Sequence, residues 1–240
     1  MMKRILLLSL LPLLPLLVSA QIGEHRNDFA IGVNGGYALS NVGFTPKVTQ
    51  SMQGGMTGGL SFRYVCEKYF KTICSIYAEL NYTQAGWKEK IVDLNDQPVK
   101  GRSGANEAYN RQLNYIQVPV FAHLAWGREH RGMQFFVQAG PQFGYLLSES
   151  TTKNFELDAI NLNDRANKET TQYGMKVENK FDYGIAAGLG AELSTGVGHF
   201  LVEGRYYYGL GNIYGSSKRD YFSKSNNGTI VIKATYLFDI

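Results

Sequence analysis

Apolar and polar residues alternate along much of this chain, and the alternation is clearest between residues 181 and 210. In the first half of that stretch the apolar residues occupy every odd position: Phe181, Tyr183, Ile185, Ala187, Leu189, Ala191 and Leu193. A period of two predicts a β-strand whose two faces differ in polarity. In water the apolar face would cover a core, whereas in a membrane it would meet lipid and the polar face would line a lumen.

The same period predicts eight strands, at residues 29–37, 54–65, 75–87, 112–126, 133–147, 180–193, 199–210 and 229–240. Long and short links alternate between them, with the long links at 38–53, 88–111, 148–179 and 211–228. Outer-membrane barrels have tight periplasmic turns and long outside loops, while loops beyond about 12 to 15 residues are uncommon in compact domains. We therefore expect an all-β fold, an eight-stranded antiparallel up-and-down transmembrane β-barrel. A soluble lipocalin-like binder is the alternative.

The N-terminus indicates export. Lys3 and Arg4 precede an apolar run, 5–18, which contains two prolines and is followed by a small-residue box ending at Ala20. This order is typical of a secretory signal peptide, and the prolines make an uncleaved anchor helix a poor alternative. The predicted domains are a signal peptide at 1–20, cleaved after Ala20, and an outer-membrane β-barrel domain at 21–240.

Composition agrees with a barrel and narrows its partners. The chain contains 27 Gly, 16 Tyr and 13 Phe but only 6 Pro, which suits close-packed strands with aromatic girdles. The formal charge is +4, and two of its positive charges, Lys3 and Arg4, leave with the signal peptide. So small a charge does not favour a nucleic-acid partner. Outer-membrane lipid is the expected partner.

The polar faces of the strands carry charges of both signs, which would point into the lumen. An eight-stranded barrel is narrow enough to be filled by side chains, and a buried charge needs a partner. We expect a paired plug rather than an open pore, with a proton or ion path as the alternative. The candidate lumen charge cluster comprises Arg63, Glu79, Asp182, Glu192, Glu203, Arg205, Lys233 and Asp239.

Aromatic residues gather near the ends of the predicted strands. Tyr and Trp favour the membrane interface because their rings are apolar and their tips are polar. An aromatic belt is therefore predicted from Tyr37, Trp87, Tyr115, Trp126, Tyr145, Tyr206, Tyr207 and Tyr208.

Cys66 and Cys74 flank the first short link. Export leads to an oxidising compartment and the hairpin can bring the thiols together, so a disulfide is one interpretation; two small apolar residues at a strand end are the other. Two cysteines without a nearby histidine do not favour a metal site. We expect no catalytic residue and no cofactor, because the four histidines all fall at the predicted periplasmic end and no Ser-His-Asp set can form at the outer rim.

The long loops carry most of the remaining charge. Six carboxylates within 149–178 are interleaved with Lys153, Arg165, Lys168 and Lys176, which indicates solvated loop charge. The last long link has three basic residues against one aspartate, and binding residues on a rigid barrel concentrate in such loops. We therefore expect partner contacts around Lys218, Arg219 and Lys224.

Four motifs stand out in the second half of the chain: Asn114-Tyr-Ile-Gln-Val-Pro-Val120, Gly140-Pro-Gln-Phe-Gly-Tyr145, Asp182-Tyr-Gly-Ile-Ala-Ala-Gly-Leu-Gly190 and Tyr208-Gly-Leu-Gly-Asn-Ile213. They resemble motifs of the PorT-type outer-membrane β-barrel family of Bacteroidetes. The resemblance covers essentially the whole mature chain and implies a small outer-membrane barrel with a bulge at Pro119. At Gln117 this chain departs from the family, which often has an acidic residue there. One member assists a gliding-associated secretion system, so an envelope or secretion-system protein is an implied partner.

Two classes of function fit these patterns. The first is a structural, binding or envelope- and secretion-accessory protein of the outer membrane that is not an open pore. The second is a small-solute transport barrel or a barrel enzyme, which the small strand number and the histidine-free outer rim disfavour.

Overall fold

The computed structural model describes residues 23–129, 131–215 and 220–240, so the signal peptide and its cleavage site lie outside the described residues. The strands are β1 (Glu24–Thr45), β2 (Gln50–Ser51), β3 (Gln53–Tyr69), β4 (Thr72–Glu89), β5 (Tyr109–Gly127), β6 (Gly132–Lys153), β7 (Phe181–Thr195), β8 (Gly198–Gly209) and β9 (Lys224–Asp239). Short 3₁₀ turns lie between β6 and β7 at Leu157–Ala159, Leu162–Asp164 and Thr171–Tyr173. Among the described residues, no helix is long and apolar enough to cross a membrane.

The eight long strands close into a ring. Each pairs antiparallel with its neighbours along the chain, while β1 also pairs with β9, from Ala30 opposite Asp239 to Thr45 opposite Lys224. The two-residue strand β2 lies beside the end of β4. Because the first and last strands meet, the ring leaves none of its described long strands with an open edge. The predicted fold class, an antiparallel up-and-down β-barrel, is confirmed.

Short and long links alternate around the ring, as the sequence predicts. Short turns at 70–71, 128–131 and 196–197 join three pairs of strands on one side of the barrel, which we call the turn end. The opposite side, which we call the loop end, carries the connections at 46–52, 90–108, 154–180 and 210–223.

Several strands extend further towards the loop end than the sequence predicts. The prediction for the first strand stops at residue 37, whereas β1 continues to Thr45 in an unbroken pairing with β9. Backbone hydrogen bonds hold this extension, and they do not require one face to be apolar. The alternation therefore marks only part of β1.

The outward faces of the strands are apolar and the inward faces are polar. On β7, Phe181, Ile185 and Leu189 are each more than half exposed, whereas Asp182 and Glu192 are buried. A soluble barrel would place its apolar face inside. The lipocalin-like alternative is therefore wrong, and the outer surface is one that suits lipid.

Pro119 lies on the inward face of β5 without the implied bulge. The pairing of β5 with β4 has the same register on both sides of Pro119, with Ala78 opposite Val120 and Asn81 opposite Gln117. A proline lacks only the backbone N–H, so it interrupts the ladder locally and need not shift it. The bulge expected at this position is wrong.

Ala187 tests the assignment of the outward face. It is exposed near the middle of β7, between Ala139 of β6 and Tyr206 of β8. Ala187→Arg should place a charge in the hydrocarbon layer and destabilise the barrel by about 2 to 4 kcal/mol. Urea unfolding in phospholipid vesicles measures this difference. Ala187→Leu is the matched control and should change stability by less than about 0.5 kcal/mol; equal stability of the two variants would show that position 187 does not meet the hydrocarbon layer.

Candidate functional site

Four charged residues fill the centre of the lumen, and we call them the central network. Glu79 of β4, Glu203 and Arg205 of β8 and Lys233 of β9 are all buried. Arg205 donates to the two oxygens of Glu79 at 2.9 and 3.0 Å, and to Glu203 at 2.5 Å. Lys233 Nζ donates to Glu79 and lies 3.5 Å from Glu203 Oε1. Two carboxylates meet two cations, so the central network is electrically neutral.

Neutral side chains complete the contacts of the central network. Gln138 Nε2 donates to Glu203 Oε2 at 2.6 Å, and Asn81 Nδ2 donates to Glu79 Oε2 at 2.7 Å. The Arg205 guanidinium lies 4.4 Å from the centroid of the Phe121 ring. Side chains from β4, β5, β6, β8 and β9 thus converge at one level, where they block the lumen.

A second ionic group lies nearer the turn end. Arg63 donates to both oxygens of Glu192 at 2.8 Å, and His199 Nδ1 lies 2.6 Å from Glu192 Oε1. His199 Nε2 is 3.1 Å from each carboxylate oxygen of Asp239. The Asp239 side chain is 65% exposed at the end of β9. Asp239 therefore lies at the rim of the lumen, because the strand ends before that side chain can be covered.

Asp182 has a neutral partner. It is buried towards the loop end of β7 and accepts a hydrogen bond from Asn227 Nδ2 at 3.0 Å. Asn227 also donates to the Tyr115 hydroxyl at 3.3 Å. The predicted cluster therefore consists of separate groups along the lumen: the central network, the pair of Arg63 and Glu192, and Asp182.

A buried apolar cluster, which we call the cap, closes the loop end. Each of the four long loops contributes to it, together with the strand ends below. Its members are Val42, Phe44, Val48, Ala85, Trp87, Ile91, Val99, Tyr109, Leu113, Tyr115, Leu146, Phe155, Ile213, Tyr214 and Phe222. Phe44 packs edge-on against Trp87 with 5.3 Å between ring centroids, and against Phe222 at 4.9 Å. The loops are thus folded over the mouth of the barrel.

Three residues of the predicted aromatic belt point inward. Trp87, Tyr115 and Tyr207 are at most 1% exposed, so their place in the belt is wrong. Trp87 shares the inward, odd-numbered face of β4 with Glu79, so strand parity was a signal that could have found it. The residues of the predicted belt that do face outward are Tyr37, Trp126, Tyr145, Tyr206 and Tyr208.

A buried ion pair and a buried hydrogen bond attach the loop 154–180 to neighbouring parts of the loop end. Arg165 is 2% exposed, donates to Glu107 at 2.5 and 3.0 Å, and lies 4.9 Å from the ring centroid of Phe155. Arg111 of β5 is also buried, and it donates to the backbone carbonyl of Met175 in this loop at 2.5 Å. The interpretation of this loop's charge as solvated is therefore wrong for Arg165. The sequence around Arg165 gives no sign that this side chain is buried, because its partner Glu107 belongs to another loop.

Tyr173 joins the same loop to the end of β4. Its hydroxyl donates to Glu89 at 2.6 Å and accepts from Arg165 at 3.0 Å. Burial and the Glu89 carboxylate raise the pKa of Tyr173 above its ordinary value. The phenol therefore stays protonated at neutral pH and keeps its role as donor to Glu89.

Cys66 and Cys74 are separate, half-buried thiols at the hairpin between β3 and β4. Cys74 lies opposite Glu67, while Cys66 falls at the register irregularity before Glu67. The disulfide stays a prediction. In the described part of the chain, no group of three or more His, Cys, Asp or Glu residues could hold a metal ion.

Two of the three basic residues expected to contact a partner, Lys218 and Arg219, lie outside the described residues. The third, Lys224, is exposed at the start of β9, and its Nζ lies 5.6 Å from the ring centroid of Tyr208. Contact between a partner and the basic residues of the last loop therefore stays a prediction.

A closed ring with an apolar exterior and a lumen filled by paired charges defines a small β-barrel protein of the outer membrane. The chain belongs to the outer membrane protein beta-barrel domain family, whose model matches residues 19–215. Among proteins with curated descriptions, none matches the chain.

Several solved outer-membrane proteins are similar at low sequence identity. Ail, the attachment invasion locus protein of Yersinia pestis, is 13% identical over 90% of this chain and 99% of its own, with a TM-score of 0.37. OprG of Pseudomonas aeruginosa is 15% identical over 90% of this chain and 98% of its own, with a TM-score of 0.40. Neisserial surface protein A is 10% identical over 87% of this chain and 96% of its own, with a TM-score of 0.40. These values are too low to transfer a function.

Removal of Lys233 should unbalance the central network, because the buried carboxylates of Glu79 and Glu203 would share one cation. Lys233→Met should destabilise the barrel by about 3 to 5 kcal/mol in urea unfolding. Lys88→Met, which removes the same charge from an exposed position on β4, should cost less than about 0.5 kcal/mol.

A double variant separates lost charge balance from lost packing. Glu79→Gln together with Lys233→Met leaves one carboxylate, Glu203, and one cation, Arg205, in the central network. This double variant should recover part of the stability that Lys233→Met loses. If Lys233→Met is as stable as Lys88→Met, the central network has no energetic role.

Proposed function

We propose that this outer-membrane barrel is a closed binding platform, which holds a folded set of loops at the cell surface and does not conduct solutes. The observation that carries the proposal is double closure: the central network blocks the middle of the lumen, and the cap covers its loop end. A narrow barrel filled by side chains suits a scaffold better than a diffusion path.

The fixed geometry of the loops supports a binding role. Arg165 of the loop 154–180 pairs with Glu107 of the loop 90–108, and the Tyr221 hydroxyl of the loop 210–223 donates to Glu169 of the loop 154–180 at 2.7 Å. Loops held in one conformation lose less entropy when a partner binds. A gate would have to open for solutes, and these contacts between loops would oppose that opening.

A non-enzymatic role is part of the proposal. The histidines in the described part of the chain, His25, His123 and His199, lie towards the turn end. The loop end therefore lacks the general base most often used in hydrolysis. Transport of small solutes and barrel catalysis remain the alternatives that the experiments below address.

The signal peptide, the narrower family and the kind of partner are inferred from the sequence. We infer that residues 1–20 are removed during export and that the barrel belongs with the PorT-type proteins, with an envelope or secretion-system protein as its partner. The motifs between residues 114 and 213 support this inference. The long loops should face outward, because outer-membrane barrels place tight turns in the periplasm.

Conductance tests the closed state. The folded protein in planar lipid bilayers should give no stepwise currents, because charged and apolar side chains fill the lumen at two levels. An open porin measured in the same bilayers is the positive control. Reproducible current steps from the purified wild-type barrel would favour the transport alternative and refute the closed platform.

Site-specific photocrosslinking tests where a partner binds. Leu94, 85% exposed at the loop end, and Val197, 73% exposed at the turn end, offer matched apolar positions for a photoreactive residue. In native envelopes the Leu94 variant should form a discrete covalent adduct and the Val197 variant should not. An adduct at Val197 alone would transfer the binding role to the turn end.

The crosslinking test depends on which end of the barrel faces outside the cell. An epitope inserted within residues 161–164 or 194–198 determines this orientation. Antibody should label the first insertion on intact cells and both insertions after permeabilisation. Heat-modifiable gel mobility confirms that each inserted variant is folded.

A further inference from the structure

The turn end contains a cavity of about 320 Å³ that is separate from the cap. Residues from β1 and from β3 to β9 line it, among them Arg26, Arg63, Ser75, His123 and His199. A cavity of this size lies at the small end of the range for ligand-binding pockets. It can hold a small molecule or the end of an extended peptide.

His123 is the most informative residue of the cavity wall. It is 1% exposed, and its ring stacks between those of Tyr77 and Phe136, with centroids at 5.7 and 4.6 Å. Among the described residues, neither Nδ1 nor Nε2 has a hydrogen-bond partner. A buried polar group left unpaired costs about 1 to 3 kcal/mol. A ligand that forms a hydrogen bond with the imidazole would remove this cost.

The neighbouring groups have an excess of donors. Nε of Arg63 and Nε of Arg26 are buried without a hydrogen-bond partner in the described part of the chain. Two of the carboxylates that line the cavity are already engaged, Glu192 by Arg63 and His199, and Glu129 by Arg26 and Lys68.

The remaining acids restrict the charge of a ligand. Asp239 lies 3.1 Å from His199, and Asp28 is exposed at the rim. These acids would repel a dianion such as phosphate more strongly than a monoanion. A carboxylate supplies two acceptor oxygens and a single charge, which matches the unused donors.

We propose that this cavity is a binding site for a carboxylate group, with His123 as the buried donor at its wall and the Nε groups of Arg26 and Arg63 beside it. The carboxylate can belong to a small free acid or to the C-terminus of a peptide. This site goes beyond the platform function, because it lies at the opposite end of the barrel from the loops.

The acid and its uncharged amide provide the first test. The full-length mature protein, with ¹⁵N-labelled histidine, is titrated in lipid nanodiscs with N-acetylalanine and with N-acetylalaninamide. The acid should shift the His123 side-chain nitrogens saturably and the amide should not. A pentapeptide with a free C-terminus and its amidated form repeat the comparison.

The two pairs of probes distinguish the source of the carboxylate. If N-acetylalanine binds, a small acid suffices; if only the free-acid pentapeptide binds, the site requires a peptide C-terminus. Absence of binding by both acids, or equal binding of acid and amide, would overturn the proposal.

A variant tests the residue itself. His123→Phe keeps the aromatic stack with Tyr77 and Phe136 but removes both ring nitrogens, so calorimetric affinity for the bound acid should fall at least tenfold. His25→Phe makes the same change at an exposed position at the start of β1 and should leave affinity unchanged. Unchanged affinity in a folded His123→Phe protein would refute the role of His123. Planar-bilayer conductance is independent of these measurements, so failure of this site and failure of the closed platform can be told apart.

Discussion

Every backbone N–H and C=O group in the hydrocarbon layer must be paired within the protein, and the rest of this structure depends on that constraint. The pairing of β1 with β9 meets it by joining the two ends of the sheet. Once the ring is closed, one face of every strand meets lipid and the other faces a narrow interior. The division into an apolar exterior and a charged interior follows from closure.

The narrow interior then determines how charge is arranged. Glu79, Glu203, Arg205 and Lys233 lie on three different strands, yet they form a neutral group because a buried charge without a partner is very costly. Further along the lumen, Arg63 pairs with Glu192 in the same way. The pairing that stabilises the barrel also fills it, so stability and closure have the same physical origin here.

The two ends of the barrel differ in chemistry. At the loop end, apolar residues and the buried pair of Arg165 and Glu107 fix the loops over the mouth. At the turn end, the links are too short to fold over the opening, and a cavity with unpaired donors is left. Loop length therefore decides which end presents a folded surface and which end presents a recess.

The sequence by itself determined the strands, the alternation of links and the direction of nearly every strand face, because a period of two is a local property that each residue shares with its neighbours. It also marked the charges of the strands' polar faces, of which Asp239 alone is largely exposed, because its strand ends there. Which charges pair could not be inferred, since Glu79 and Lys233 are distant in the chain and meet only through barrel register. The cap was likewise hidden, because Trp87 of β4 packs with Phe155 and Phe222 from two different loops, and no local pattern records that packing. Only closure of the ring brings those loops together, and the same closure leaves His123 buried beside a cavity, so both ends of the barrel were decided by tertiary structure.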